Sequence, residues 1–150
     1  MTRVKAHDPD HLRPHLGVLL EQARRRLFDE VRSRPEASAY ADVQNAHITL
    51  LVFLPEGGAR LTDLAARARM TKQSMGELAH QLEALGYVTR VADPADGRAK
   101  LIVLTDRGRA ATKAGSAALL AVESEWADEI GADRIAELRT TLEQIARPGG

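Results

Sequence analysis

The sequence predicts a mainly α-helical domain that carries one small β-hairpin. Three observations predict it. Apolar residues recur at helical spacing through most of the 150-residue chain, in segments punctuated by proline and glycine. Between Gly86 and Thr105 the helical period gives way to alternation around a proline- and glycine-containing turn. Aromatic residues make up only 3% of a chain rich in alanine and leucine, which fits helices better than sheets.

The first helix has two starts, at Asp8-Pro9 and at Arg13-Pro14, since proline suits the first turn. Leu12, Leu16, Leu19, Ala23, Leu27 and Val31 mark one face of it, and Pro35 ends it. A second helix is expected from about Ala39 to Leu54, closed by Pro55-Glu56-Gly57-Gly58. A short third helix follows, with Leu61, Leu64, Ala65 and Ala68 in register. The fourth carries Met75, Leu78, Leu82 and Leu85 on its apolar stripe. Thr71 stands where a hydroxyl N-cap is needed, and Gly86 where a left-handed residue ends a helix, so this helix runs from Lys72 to Leu85.

Tyr87 to Val91 and Ala99 to Leu104 then read as two strands flanking Asp93-Pro94-Ala95-Asp96-Gly97-Arg98. Proline presets the turn, and Asp96-Gly97 is expected to supply the positive φ that closes the hairpin, with Arg98 at its tip. Thr105 caps a long helix from Asp106 to about Ile130. Gly131-Ala132 breaks it, and Asp133 opens a last helix with Ile135, Leu138, Leu142 and Ile145 in register. Two short helices joined by a break and followed by a hairpin form a winged helix-turn-helix, and residues 59–109 hold it.

Formal net charge is zero, yet charge is unevenly placed. From Arg60 to Arg109 there are nine Lys/Arg against six Asp/Glu, so the remaining chain is acidic overall. A basic excess confined to the winged segment is the footprint of a nucleic-acid-reading module. The chain has no cysteine, which excludes disulfides, thiolate metal sites and thiol redox sensing. No matched nucleophile and base, metal motif or phosphate loop is present, so an enzyme and a resident cofactor are not expected. The longest apolar run, near Ile48 to Leu54, is too short to span a bilayer, and a cytoplasmic protein is expected. His7, His11 and His15 recur every four residues, but no carboxylate pattern completes a zinc site around them.

The runs Met70-Thr71-Lys72-Gln73, Leu82-Glu83 and Gly86-Tyr87-Val88, the wing Asp93-Pro94 with Asp96-Gly97-Arg98-Ala99-Lys100, and Leu104-Thr105 resemble the MarR family of bacterial transcription regulators. The resemblance is close over about a third of the chain, and the wing is its most specific part. Many members carry arginine where Glu77 and Gly97 stand here. The resemblance implies a homodimeric repressor of double-stranded DNA, released by a small aromatic or anionic effector, with dimerisation helices at 8–34 and 110–147. The apolar outer helices agree, because packed only on a small winged core they would leave their stripes exposed.

On that basis Thr71, Lys72, Gln73 and Ser74 face base edges and phosphates, with Gln81 further along at the groove margin. Two such helices in successive major grooves require half-sites about 10 bp apart. Gly76 either lets the backbone approach DNA or relieves crowding against the neighbouring helix. Arg98, with Lys100 behind it, suits a narrow minor groove; pairing with Asp93 or Asp96 is its structural alternative. Glu77 either accepts from a cytosine amino group or holds Arg69. Candidate effector contacts are His47 and Phe53, then Tyr40 and His15. The rival to operator binding is a winged helix used for protein contact.

Overall fold

The computed structural model describes residues 13–147. Within them lie α1 (Leu16–Arg32), α2 (Pro35–Ser38), α3 (Asn45–Phe53), α4 (Leu61–Arg67), α5 (Lys72–Ala84), β1 (Val88–Asp93), β2 (Asp96–Leu104), α6 (Asp106–Ile130) and α7 (Ala132–Ala146). The fold is the expected one, helices around a two-stranded antiparallel hairpin. The earlier start at Asp8-Pro9, Leu12, and the histidines at 7 and 11 lie outside the described residues.

The main core lies between α3, α4, α5 and the root of the hairpin. Leu50, Leu64, Met75, Leu82, Tyr87 and Ile102 are fully buried there. Each such side chain contributes roughly 1.5–3 kcal/mol. A smaller cluster joins α1 to α6 through Val31, Ala118 and Val122, with Leu27, Leu119 and Trp126 against it. α5 is held on the core by Met75, Leu78, Ala79 and Leu82, which leaves its other face to solvent.

Three details differ from the sequence expectation. The second long helix starts at Asn45, not near Ala39, because a capping box fixes it: Gln44 is extended, its side chain accepts from the third helical N–H, and the His47 ring accepts from its backbone. Periodicity missed this because Tyr40 and Val43, in the preceding turns, also pack on the core. Pro35 does not merely end a helix; it opens α2 as the first residue.

The third difference is in the wing. The strands extend to Asp93 and from Asp96, so Pro94-Ala95 make the turn. The Asp93 carboxylate accepts from the Ala95 N–H at 2.9 Å and stabilises that turn. Gly97 is therefore not at positive φ, the conformation found at Gly58, Gly86, Gly131 and Arg69. Pairing runs from Val88↔Leu104 to Ala92↔Lys100 and then slips to Asp93↔Asp96, which leaves Gly97, Arg98 and Ala99 opposite no residue. Bulges of this kind re-aim side chains. A third segment joins the hairpin, where Ala59 and Ile102 exchange backbone bonds of 3.1 and 2.9 Å. Gly58 turns into it at φ +83°, and a Cβ there would lie 2.7 Å from the Ile102 carbonyl oxygen.

Candidate DNA-binding site

The exposed face of α5 begins at its cap. Thr71 Oγ1 accepts from the Ser74 N–H at 3.1 Å and donates to Ser74 Oγ at 2.9 Å, satisfying an orphan donor of the first turn. The Ser74 hydroxyl hydrogen stays available to an outside acceptor. Lys72 and Gln73 stand beside it, exposed and without a partner among the described residues. The turn leading into α5 carries Arg69 at φ 52°, a left-handed conformation unusual for a residue with a side chain.

The cations of the winged segment divide into two sets. Arg60 binds Asp93, Arg90 binds Glu83, Arg107 binds Asp42 and Arg109 binds Asp106. Arg67, Arg69, Lys72, Arg98 and Lys100 are exposed and have no carboxylate partner among the described residues. These five occupy the last residue of α4, the turn that follows it, the first residue of α5 and the wing. Unpaired positive charge is thus collected where a phosphate backbone would lie along the helix and hairpin.

The wing is stiffened without the Arg98 side chain, although the Arg98 backbone N–H donates to Asp96 Oδ1 at 3.1 Å. Asp93 is nearly buried; its Oδ2 accepts from Arg60 Nη2 at 2.6 Å and Nε at 2.8 Å, and Asp96 lies 3.8 Å from the same guanidinium. The Ala95 N–H first, and Arg60 second, hold the Asp93 carboxyl below the usual aspartate range. The Arg98 side chain is left free to project from the bulge. Sequence reasoning missed Arg60, since a pair spanning 33 residues has no local signature. The Asp93-Pro94 dipeptide did carry the signal for the side-chain-held turn.

Gln81 and Gly76 sit differently from the other predicted contacts. Gln81 is half-buried: its Oε1 meets His47 Nε2 at 2.8 Å and its Nε2 donates to Glu77 Oε1 at 3.1 Å. A Cβ on Gly76 would meet Leu61 Cδ2 at 3.6 Å, an ordinary van der Waals contact, so the residue faces α4 without crowding. Glu77 is exposed and makes no ion pair with Arg69.

A cleft of about 490 Å³ lies behind the DNA-reading face, between α1, α2, α3 and α6. Phe28, Val31, Tyr40, Val43, Ile48 and Leu51 give it apolar walls, and Arg32, Thr112 and Ser116 are its polar members. Of the effector contacts expected from sequence, Tyr40 lines it. His47 is buried with both ring nitrogens engaged, Phe53 is partly exposed elsewhere on α3, and His15 precedes α1 on the surface. Tyr40 also meets Tyr87 edge to face at 6.3 Å between centroids. The Tyr87 hydroxyl donates to Asp42 and accepts from Arg107 at 3.1 Å, and the Arg107 guanidinium lies over its ring at 4.6 Å. Burial, then Asp42, raises the Tyr87 pKa.

A helix-turn-helix with an unpaired cationic rim and a projecting hairpin defines the class: a winged-helix protein that reads DNA. Residues 41–99 match the model of the MarR family. The chain is 30% identical over 116 residues to the HTH-type transcriptional repressor Rv2887 of Mycobacterium tuberculosis, spanning 75% of this chain and 84% of the relative. It superposes on CouR of Rhodococcus jostii RHA1, a transcriptional repressor bound to a 23-mer DNA duplex, with TM-score 0.71 and 25% identity over 97% of this chain and 100% of that one. Rv2887 in complex with p-aminosalicylic acid matches with TM-score 0.63 and 27% identity over 89% and 100%. This chain belongs to the MarR family of transcriptional regulators. Among the described residues, no helix is long and apolar enough to cross a membrane.

Proposed function

We propose that the protein is a cytoplasmic homodimeric repressor that binds a pseudo-palindromic operator and is released by an apolar anion. The observation that carries the DNA half of this reading is the collection of unpaired cations along the end of α4, the turn into α5, the first residue of α5 and the wing. Residues 59–109 form the reading unit. Thr71, Lys72, Gln73 and Ser74 enter the major groove, where Gln73 suits an adenine edge and Lys72 a phosphate or guanine. Arg98 and Lys100 follow the adjacent minor groove.

The outer helices supply the dimer. Leu16, Val18, Leu19 and Leu20 on α1, and Leu138, Leu142 and Ile145 on α7, are exposed in the single chain, and α7 buries no residue. A second copy covering these stripes removes them from water.

The cleft behind the reading face suits an effector with an aromatic or aliphatic body and a carboxylate. Its walls are apolar, and Arg32, paired with Asp29 at 2.7 Å on the surface, offers a guanidinium for exchange. The p-aminosalicylic acid bound by the Mycobacterium relative has that chemistry. Tyr40 connects the cleft to Tyr87, which follows the C-terminus of α5, so a ligand that moves Tyr40 favours a different spacing of the two reading helices.

Fluorescence anisotropy of the purified dimer tests the proposal, with DNA from upstream of its own gene, random DNA as control, and two salt concentrations. Tight, selective and salt-sensitive binding is expected. Salt-insensitive or absent binding to operator and genome-selected DNA alike would favour a protein-contact module instead.

A further inference from the structure

Glu77 stands on the DNA-reading face of α5, where an acid would repel phosphates, and the fold takes trouble to hold it there. The Gln44 backbone N–H donates to His47 Nδ1 at 3.1 Å. That fixes the proton of the neutral ring on Nε2, which donates to Gln81 Oε1 at 2.8 Å. The Gln81 amide is thereby oriented, and its Nε2 donates to Glu77 Oε1 at 3.1 Å. His47 is 2% exposed, so this chain of donors is anchored in the core and ends on a solvent-facing carboxylate. The second oxygen, Oε2, accepts nothing among the described residues.

Gln73 and Ser74 share one shallow cleft wall with Glu77 between α5 and α3. Gln73 precedes Glu77 by four residues, so the two lie about one helical turn apart on the same face. The acid therefore continues the base-facing edge rather than turning toward the cationic rim. It leaves Lys72, Arg67 and Arg69 unpaired although all three carry the charge it would attract.

In the major groove, guanine and thymine offer acceptors, whereas cytosine N4 and adenine N6 offer amino donors. A carboxylate is stabilised only by the latter and is repelled by the former. We infer that Glu77, positioned by Gln81 and His47, is a specificity-determining contact that selects an exocyclic amino group at one base pair of each half-site. This rests on the operator-binding function proposed above. Gln81 and His47 act through Glu77 and are positioning residues.

The test uses the full-length dimer and a selected operator in which each base pair is varied in turn. The wild type is expected to prefer cytosine or adenine at one symmetry-related pair of positions, and the preferred base distinguishes the two amino donors. Glu77→Ala is expected to lose at least tenfold of that preference, keep the profile elsewhere, and bind random DNA equally or more tightly, because one negative charge is gone. Gln81→Met is expected to lose part of the preference at the same positions and nowhere else. Thermal melting of both variants confirms folding, and Glu77→Gln, which keeps the size and a polar tip, is expected to change the preferred base there. An unchanged base profile in Glu77→Ala, or a loss uniform across all sequences, overturns the assignment while operator binding stands. A wild type without any sequence preference overturns the operator-binding function and this contact with it.

Discussion

Removing the Arg98 guanidinium separates the proposed DNA contact from wing stability, because Arg60 and not Arg98 makes the ion pairs of the wing. Arg60 stiffens the turn through Asp93 at 2.6 Å and Asp96 at 3.8 Å, and Asp93 also accepts from the Ala95 N–H. The Arg98 side chain has no partner to lose among the described residues and stands in the unpaired stretch of β2. The backbone N–H of this position still donates to Asp96 Oδ1 at 3.1 Å after the substitution. Arg98→Ala should therefore change folding stability by less than about 0.5 kcal/mol, as other exposed substitutions do. Its whole effect should fall on DNA. A dimer carries two wings, so two cations are removed at once. A tenfold loss of affinity, about 1.4 kcal/mol, is the minimum expected. Each lost phosphate contact reduces the slope of log K against log salt by about 0.9, which makes about 2 for the dimer. Anisotropy titrations at four salt concentrations, beside a melting curve, read all three quantities. Arg60→Met provides the contrast: a lower melting temperature, with Asp93 left nearly buried and unpaired. An Arg98→Ala titration that overlays the wild type at every salt concentration would refute the assignment. So would a variant that melts early, since Arg98 would then be part of the wing's own framework.

Gly108→Ala places a Cβ 2.0 Å from the Tyr87 carbonyl oxygen, so the start of α6 must part from the hairpin root; a loss above about 2 kcal/mol in urea unfolding is expected. Gly76→Ala meets Leu61 Cδ2 at an ordinary 3.6 Å and should stabilise α5 by roughly 0.5–1 kcal/mol, raising the melting temperature. Unchanged operator affinity in that variant would reject the close approach of its backbone to DNA. For Asp93 the folded pKa is depressed, so the stability it lends is present above the unfolded value and lost as pH falls below about 4. Asp93→Asn should flatten that acid limb of the melting profile, and a limb of unchanged steepness would assign it to other carboxylates.

The sequence by itself determined the local features, where neighbours a few residues apart settle the backbone. Thr71 caps α5 by accepting from Ser74, and Gly86 leaves the helix at φ +80°, both legible because a cap and a left-handed residue depend on their own turn. For the same reason Gly131 marked the break between α6 and α7, and the alternation between Tyr87 and Leu104 revealed the hairpin. Its closure was misplaced by two residues, because the Asp-Gly pair and the Asp-Pro pair both signal turns. The Asp93 carboxylate, held from across the fold by Arg60, accompanies the second.

What tertiary structure alone decided is which polar groups are spent inside the protein and which remain for DNA. The sequence offered His47 as a candidate effector contact and Gln81 as a contact at the groove margin, two separate tasks. The approach of α3 to α5 joins them into one line ending at Glu77. Nine cations in the winged segment had looked alike, and docking of the elements pairs Arg60 with Asp93 and Arg107 with Asp42, whereas Arg109 pairs with Asp106 inside its own helix and Arg90 with the nearby Glu83. Periodicity records which face of a helix is apolar, and it is silent on which polar side chain meets which across 33 to 65 residues. That meeting is set by how helices dock, and here it decides the shape and charge of the surface offered to DNA.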